Sequence, residues 1–456
     1  MRVSGSAWLL LSANFALLAG CATYRPLPLG NGEPSRLSDI KVPATSMPVP
    51  ALRVHRFDPA DGLDVTETAM LAVANSPDLR VQRDDAHVAR AQAFAAGLLP
   101  DPQLAYEHDR PTSGQPDLTS AFNLGLTFDL SNLLTRSSRV AAAKGNAREV
   151  DLNLLWSEWQ TIAKARTLFD RTFYLRELIA RLQQERDALA PIQQYIQRAL
   201  AASDLTYDAA SAGLNAASDV ANKLAEAQRQ RDQAEHDLHD LLGIDASIPL
   251  HLVGTPYTVD PDVGQATRAL IDMTKRRPDL RALQAGYEGQ QEKLRAAILA
   301  QFPSITVGFL RARDTGNVYT TGYSVGLSLP LFDGNRGNIA IERATRQKLR
   351  DEYSARLLTS RNDIDRLLVD LRSDRTQRAA LIAHAAQLSA ARESAEGAFA
   401  AGLLDWPTYL AIRASSLTAD TDLLTLEQNF HEQAIALDAL VGNWPDASQA
   451  QDRNSP

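Results

Sequence analysis

Apolar positions follow two different periods along this chain, and the two periods alternate in a fixed order. Near residues 120–129, and again near 321–329, every second residue is apolar and the residues between are small or polar, which predicts strands with one apolar face. Near 140–201 and 339–401, apolar residues recur at steps of three, four or seven, which predicts long helices with a coiled-coil-like seam. At 1.5 Å per residue, each of these helices is roughly 90 Å long.

The same series of segments occurs twice, about 200 residues apart. Residues 75–80 resemble 276–281, and residues 241–243 resemble 440–442. In both copies a helix closed by proline precedes a pair of strands. A long helix then leads through a short break to a second helix of about 35 residues. An internal duplication of this kind implies that each copy forms one structural unit.

The repeats define the predicted domain organisation. The segment before the first copy is rich in proline, which predicts an extended tether rather than part of a core. The helix before each strand pair is predicted to be continuous, at about 65–99 and 266–299. The predicted parts are a signal peptide (1–20), the tether (21–62), repeat 1 (63–243, strands at about 103–109 and 120–129), a connector (244–264), repeat 2 (265–442, strands at about 304–311 and 321–329) and a tail (443–456).

The first residues have the pattern of a bacterial lipoprotein leader. Arg2 precedes a short apolar run, and residues 18–20 are small or apolar immediately before Cys21, the single cysteine of the chain. Cys21 is therefore the predicted site of cleavage and lipid attachment, and a plain secretory signal with an incidental cysteine is the alternative. Ala22 follows instead of the aspartate that usually retains lipoproteins at the inner membrane, so the predicted location is the outer membrane.

Charge and motifs narrow the possible functions. The net charge of −8 argues against nucleic acid as a partner. No phosphate-binding glycine loop, nucleophile elbow or zinc-binding spacing is present, so the sequence predicts no catalytic residues, no cofactor, no metal site and no enzymatic activity. His236 and His239 lie one turn apart beside Asp240, but a single pair without a nearby cysteine is more typical of a solvated helix face than of a metal site.

The predicted strands raise the question of how a membrane could be crossed. After Cys21 no apolar run is long enough for a membrane helix, so any crossing must use strands. Four strands cannot close a barrel, and open edges would leave backbone groups unpaired in lipid. Two, three or four copies of the chain would supply eight, twelve or sixteen strands. The predicted lipid-facing residues are Phe122, Leu124, Leu126, Phe128, Tyr323, Val325, Leu327 and Leu329, and the small residues between them would line a water-filled lumen.

Three features together resemble the TolC-type outer-membrane efflux family: the duplicated series of segments, the stretch at 324–334 and the break at 401–405. The resemblance covers about 63–442. It implies a mainly α fold with a small β contribution, in which a homotrimer forms a twelve-stranded transmembrane barrel and a periplasmic α-barrel. It also implies a passive exit duct that periplasmic adaptor proteins contact and an inner-membrane pump powers. Residues 96–102 resemble the branch that works with RND-type heavy-metal pumps.

The two helical breaks are the predicted tips at which an adaptor docks and the periplasmic mouth closes. The candidate residues are Ser203, Asp204 and Leu205 in the first copy, and Gly402, Leu403, Leu404 and Asp405 in the second. The alternative is that each break is merely a turn. Many family members carry a tyrosine, a basic residue and two aspartates around the second tip. Here those positions hold Phe399, Leu404, Thr408 and Ala411, which leaves the chemistry of the mouth open.

The function predicted from the sequence is an outer-membrane exit duct for small solutes such as drugs or metal cations. A duct for type I protein secretion would have the same architecture, and an acylated N-terminus favours small-solute efflux over it. The third interpretation is a periplasmic coiled-coil scaffold without a pore. A scaffold gives no reason for the period-two apolar pattern of the strands.

Overall fold

The computed structural model describes residues 24–29, 37, 40–112, 117–257, 261 and 263–442. The chain divides into two units, residues 1–35 and 36–456. In the first unit, residues 24–29 contain no helix or strand. The predicted signal peptide, Cys21 and the predicted C-terminal tail lie outside the described residues.

The second unit contains two copies of one series of elements. A 3-10 turn (Ala44–Ser46) and a short helix α1 (Pro50–Val54) precede the first copy. The first copy comprises α2 (Val65–Asn75), α3 (Pro77–Gly97), β1 (Gln103–Asp109), β2 (Ala121–Asp129), α4 (Ser131–Ala201) and α5 (Tyr207–Leu242). The second comprises α6 (Val263–Arg276), α7 (Pro278–Leu299), β3 (Ser304–Arg313), β4 (Tyr319–Ser328), α8 (Arg336–Ala400) and α9 (Trp406–Val441). The fold is therefore mainly helical with one small sheet.

The two strand pairs join into a single antiparallel sheet in the order β1-β2-β3-β4. β2 and β3 come from different copies, yet they pair along their length, with Leu126 opposite Phe309 and Phe128 opposite Val307. The end of the sheet nearest the helices is tied to α4, because Leu130 donates a hydrogen bond to the Ile305 carbonyl at 2.9 Å. The long helices and the sheet therefore share a fixed junction.

A proline divides the helix that precedes each strand pair, so the prediction of one continuous helix at 65–99 and at 266–299 is wrong. Pro77 and Pro278 each occupy the first turn of a new helix, because proline has no N–H to give to the preceding turn. The second break is held by Arg277, whose guanidinium donates to Asp279 at 3.0 and 2.7 Å. The same guanidinium lies over the Trp156 ring at 4.8 Å, so this tryptophan packs against a buried charge.

The long helix α4 extends for 71 residues, with Pro191 inside it. Its buried positions include Leu152, Ile162 and Phe169, which lie in the segment predicted to carry a coiled-coil-like seam. At 1.5 Å per residue the helix is about 105 Å long. The equivalent helix α8 has 65 residues, but only six of them are buried. Most of the surface of α8 therefore has no partner within the described residues of this chain.

Part of the predicted tether belongs to a hydrophobic core, so the prediction of an extended tether is wrong for this part. Met47, Val49 and Leu52 are buried against α2 and α4 in one apolar cluster. Pro50 starts the short helix α1 and thereby turns Leu52 inward. The proline content indicated an extended chain. Burial of the apolar residues between the prolines is nevertheless favourable, because it removes their apolar surface from water.

The predicted connector also packs against the long helices. Leu63 forms an isolated parallel bridge with Leu252. Further along, the N–H of Tyr257 donates to Asp170 on α4 at 2.9 Å, and its hydroxyl donates to Asp438 on α9 at 2.9 Å. The connector thus links the two copies through buried carboxylates. Burial raises the pKa of the Asp170 carboxyl to about 7, and the hydrogen bond from the Tyr257 N–H opposes this rise.

We expect the Asp170 carboxyl to contribute less to the stability of the chain as the pH rises toward neutrality. The folded chain keeps a proton on Asp170 up to about pH 7, whereas an unfolded chain releases it near pH 4. The stabilisation is therefore present at low pH and is lost as the pH rises through the folded-state value. Between pH 5 and 8 this group should lower the free energy of unfolding by about 2 to 3 kcal/mol.

Urea unfolding of the full chain at several pH values measures this effect. Asp170→Asn keeps the oxygen that accepts from the Tyr257 N–H but removes the titration, so its pH dependence should be flatter. Asp240→Asn, an exposed change on α5, is the matched control and should follow the original chain. Equal slopes for Asp170→Asn and the original chain would contradict the assignment.

A second core joins α6, α7, α8 and α9. Its fully buried members include Leu280, Ile364 and Leu371, with Leu437 from α9.

Among the described residues, no helix combines the length and the apolar character that crossing a membrane requires.

Candidate functional site

The four-stranded sheet has one apolar face that continues across both copies. Leu104 on β1 lies opposite Leu126 on β2, which lies opposite Phe309 on β3, which lies opposite Tyr323 on β4. Directly opposite residues of neighbouring strands point to the same side of a sheet. The alternation in each strand therefore adds up to one continuous apolar surface instead of four separate stripes.

This apolar face is exposed to a degree that is unusual for a soluble sheet. Tyr323 is 88% exposed, Val325 73% and Leu104 70%. Monomeric soluble proteins rarely leave a contiguous apolar patch of this kind uncovered. Nothing among the described residues of the chain packs over it, so the face is available to an environment outside the chain.

The opposite face of the sheet is mostly small and polar, with Leu310 as its one large apolar residue within the four strands. It carries Gly125 and Thr127 on β2, and Gly326 and Ser328 on β4. Gly308 lies opposite both Thr127 and Ser324, close enough that a side chain at this position would meet the Ser324 hydroxyl. Small side chains keep this surface flat and leave space above it.

The structure brings most of the predicted lipid-facing residues together. Phe122, Leu124, Leu126, Phe128, Tyr323, Val325 and Leu327 all lie on the apolar face. Leu329 follows the last residue of β4 and is 56% exposed. That this face contacts lipid stays a prediction.

The outer edges of the sheet are open. β1 and β4 each pair with one neighbour within the described part of the chain, and their other edges have no strand beside them. Unpaired strand edges present free N–H and C=O groups to a further strand. The sheet is thus a segment that other strands can extend on both sides.

Both tip loops leave their first helix through the same backbone turn. Ser203 has a φ of 60° and Gly402 a φ of 71°, both in the left-handed region. The N–H of Asp204 donates to the Ala199 carbonyl at 2.8 Å, and the equivalent bond in the second copy is 2.9 Å. This is the Schellman pattern of helix ends, which favours glycine at the left-handed position. The first copy places a serine there.

The second helix of each hairpin begins at a capping side chain. Thr206 accepts from the Ala209 N–H at 3.3 Å, and Asp405 accepts from the Thr408 N–H at 2.8 Å. Hydrogen bonds from the hydroxyl and the N–H of Thr408 lower the pKa of Asp405. Asp405 therefore has a local structural role as a helix cap. This observation supports the turn interpretation for that residue, and docking at the tips stays a prediction.

The two tips lie side by side. Leu404 and Trp406 of the second tip pack against the apolar cluster that Leu189 and Ile192 of the first hairpin share. Leu403 is 82% exposed, whereas Leu205 and Leu404 are half-buried. Ser203, Asp204 and Gly402 are exposed. The predicted tip residues are thus brought to one end of the helices, where some of their side chains remain free for a partner.

Behind the tips lies a buried polar network that the sequence did not indicate. Arg413 on α9 donates to both carboxylate oxygens of Glu185 on α4, at 3.0 and 2.6 Å. It also donates to Glu396 on α8 at 2.6 Å and to the Tyr409 hydroxyl at 2.9 Å. Tyr409 stacks on Phe399 with ring centroids 4.4 Å apart. One guanidinium therefore joins three helices from both copies.

Replacing Ser203 with glycine is expected to stabilise the chain by about 1 kcal/mol, because serine is strained at a positive φ and glycine is not. The reciprocal change, Gly402→Ser, should destabilise it by a similar amount. Thermal unfolding of the two purified variants measures both effects. A loss of stability in Ser203→Gly would show that the serine side chain contributes a contact that outweighs the backbone strain.

Two groups of residues have the side chains that a metal ion would require. His239 is buried, and its Nδ1 and Nε2 lie 2.7 and 2.8 Å from the carbonyl oxygens of Glu235 and Ile248. Both ring nitrogens of His239 therefore already contact backbone carbonyl oxygens. The prediction that both histidines lie on a solvated face is wrong for His239, whereas His236 is exposed.

The second group lies at the start of α2. His55, Asp64 and Glu67 offer ligand atoms within 4.8 Å of one another. Both oxygens of Glu67 accept backbone N–H groups, those of Asp58 and Asp64, at 2.8 and 3.1 Å. Asp64 caps α2 in return. These carboxylates are thus committed to the helix start, where a cation is also disfavoured by the helix dipole.

Comparison with known proteins agrees with this geometry. Residues 270–443 match the family model described as outer membrane efflux protein. This part of the chain belongs to that family. The TolC-type resemblance found in the sequence is thereby confirmed. Among curated proteins, none matches the chain.

Solved structures of outer-membrane channels share the fold of this chain over most of its length. The CmeC outer membrane channel of Campylobacter jejuni is 15% identical, with 95% of this chain and 98% of that chain covered at a TM-score of 0.72. The MtrE outer membrane channel of Neisseria gonorrhoeae is 18% identical, with 93% and 98% covered at 0.67. CusC is 18% identical, with 88% and 98% covered at 0.69. At these identities the likeness shows the fold alone.

Proposed function

We propose that the chain is the outer-membrane exit duct of a tripartite efflux pump, through which small solutes pass passively from the periplasm to the outside. The family match of residues 270–443 and the channel fold support this proposal. The observation that carries it is the sheet, which has an exposed apolar face, a small polar face and two open edges. These are the properties of one part of a barrel wall.

Three copies would close a twelve-stranded barrel. The sheet is antiparallel throughout and has an even number of strands, so β4 of one copy and β1 of the next run in opposite directions. Every junction between copies then continues the antiparallel pattern, and no edge remains open to lipid. The apolar face meets the membrane, and the small polar face lines a wet lumen. The number three follows the family resemblance.

The helices support the same assembly. On α8, Ile341, Leu358 and Val369 are at least 60% exposed. Only six described residues of this helix are buried within its own chain. Packing of such positions against neighbouring copies would extend the lumen into an α-barrel that crosses the periplasm. Such burial stabilises an assembly by roughly 25 cal/mol per Å² of apolar surface.

The remaining assignments follow the same proposal. Cys21 carries the lipid that anchors the N-terminus in the outer membrane. The tips, at 203–205 and 402–405, contact a periplasmic adaptor protein, and an inner-membrane pump, of the RND type by resemblance, supplies the energy. The exposed Leu403 side chain gives the tip an apolar contact for such a partner.

The test is whether the full chain assembles and conducts. In a mild detergent it should migrate as a heat-sensitive trimer, and in planar bilayers it should form channels. Val325 and Ser324 are adjacent on β4 and face opposite sides of the sheet, so they provide a matched pair. Val325→Lys should prevent insertion, because it places three charges against lipid. Ser324→Lys should insert and change only the conductance.

A monomer without channel activity would contradict the proposal. Equal insertion of the Val325→Lys and Ser324→Lys variants would show that the apolar face does not meet lipid. A trimer that forms but does not conduct would favour the scaffold interpretation.

A further inference from the structure

Charged side chains are segregated between the two faces of the sheet. Within the four strands, the apolar face carries Arg311 and Arg313, and it carries no carboxylate. The small polar face carries the acidic residues Glu107, Asp109 and Asp129, and it carries no arginine or lysine. The arginines therefore have no acidic partner on their own side, and the sheet itself separates them from the acids.

The two arginines differ in what they contact. Arg313 donates to the Ser120 carbonyl at 3.1 and 2.7 Å and to the Tyr319 hydroxyl at 3.4 Å, and it lies over the Phe122 ring. Arg311 is exposed, and no hydrogen bond or ion pair joins its guanidinium to another described residue. A guanidinium on an apolar surface needs an acceptor, because an unpaired charge is costly to remove from water.

The position of Arg311 along β3 indicates the level of the membrane at which its guanidinium would lie. From Ile305 through Val307 to Phe309, β3 presents an apolar stretch about 14 Å long on the side nearest the helices. Arg311 follows one step later, toward the loops that point away from the helices. Tyr106 lies in the same row of the sheet, beyond Leu124. Aromatic residues at the end of an apolar band mark the level of lipid headgroups.

We propose that Arg311, supported by Arg313, binds a phosphate group of a phosphorylated glycolipid in the outer leaflet of the outer membrane. The planar guanidinium matches the geometry of two phosphate oxygens and stays charged at any physiological pH. Thr321, directly opposite Arg311 on β4, adds a hydroxyl donor beside it. Arg313 is held in place by Ser120 and contributes its charge to the same surface.

This site rests on the proposed function, because the apolar face must be in the membrane with the loop end outward. The occupant is a glycolipid rather than a free phosphate, since the guanidinium is flanked by the apolar surface of Leu124 and Phe309. Acyl chains can cover such a surface while the headgroup reaches the arginine. Three copies would provide three equivalent sites.

The experiment measures lipid binding to the full-length assembled protein in detergent. Native mass spectrometry with titrated lipid A is compared with enzymatically dephosphorylated lipid A and with phosphatidylglycerol. The original chain should bind lipid A about tenfold more tightly than its dephosphorylated form, as expected for charge-assisted hydrogen bonds. Arg311→Gln should lose most of this difference, and Arg311→Lys, which keeps the charge without the planar fork, should lose part of it.

Arg343→Gln removes the same charge from an exposed position on α8 and is the matched control, so it should bind as the original chain does. Trimer formation and conductance of each variant are recorded in parallel. An Arg311→Gln trimer that still prefers phosphorylated lipid A would overturn the site. Phosphatidylglycerol binding as tight as lipid A binding would overturn the glycolipid assignment. Failure of the original chain to form channels would instead contradict the proposed function.

Discussion

Replacing Arg413 with methionine is expected to lower the free energy of unfolding by about 3 to 5 kcal/mol. Arg413 and Glu185 are both more than nine-tenths buried, and their side chains face each other through two hydrogen bonds. Removal of the guanidinium leaves the Glu185 carboxylate without its partner in a dry environment. The cost comes from the stranded charge rather than from the lost attraction itself.

A second change separates these two contributions. Glu185→Leu combined with Arg413→Met replaces the buried pair with apolar side chains of similar size. Such replacement is often neutral or stabilising, so the double variant should recover most of the lost stability. Thermal unfolding of the full chain measures each variant. A double variant as unstable as Arg413→Met would show that the pair contributes through geometry that apolar packing cannot replace.

Glu396 provides a control within the same network. Its carboxylate also accepts from Arg413, but its side chain is 45% exposed. Because solvent screens an exposed ion pair, Glu396→Gln should cost less than about 1 kcal/mol. A loss as large as that of Arg413→Met would contradict the assignment of the main effect to burial.

The strands of this fold were accessible from the sequence because their signal is local. Phe122, Leu124 and Leu126 alternate with small residues, and that alternation suffices to place them on one face. The duplication supplied the second pair of strands in the same way. Pairing between β2 and β3 is not local, so the period-two pattern did not indicate which strands of the two copies would pair.

The tip network was not accessible because it depends on contacts between distant parts of the chain. Glu185 and Arg413 are 228 residues apart, and each stands among ordinary helical residues without a motif. The burial of Met47 and Leu52 is a similar case, since the prolines around them indicated an extended segment. The left-handed Ser203 could have been recognised, because the duplication aligns it with Gly402.

Adding a side chain at Gly145 is expected to disrupt the contact between α4 and α7. A Cβ atom at this position would lie 2.7 Å from the Gly289 Cα and 3.2 Å from the Ala285 carbonyl oxygen. Both neighbours are backbone atoms, so no side-chain rotation can relieve the clash and the helices must separate. We expect Gly145→Ala to cost about 1 to 3 kcal/mol, and Gly145→Val to exceed that range.

The surroundings of Gly145 prevent an easy adjustment. About four turns earlier, α4 is fixed to the sheet, where the Ser131 hydroxyl accepts from the Ile305 N–H at 3.1 Å. Movement of α4 away from α7 would therefore strain the junction with β3 or change the angle between the helix and the sheet. In the proposed assembly, three copies would carry the same change, so the loss of stability should be accompanied by loss of the heat-sensitive trimer.

Gly397 on α8 is the matched control, because a Cβ atom there would meet nothing within 4 Å. Alanine is the better helix former, so Gly397→Ala should stabilise the chain by up to about 1 kcal/mol. The same substitution thus has opposite expected signs at two helical glycines, and the difference isolates the close approach of the backbones. Thermal unfolding and gel migration of both variants measure it. A Gly145→Ala variant as stable as Gly397→Ala would mean that α4 and α7 can separate without cost, and that the tight crossing is not required for the fold.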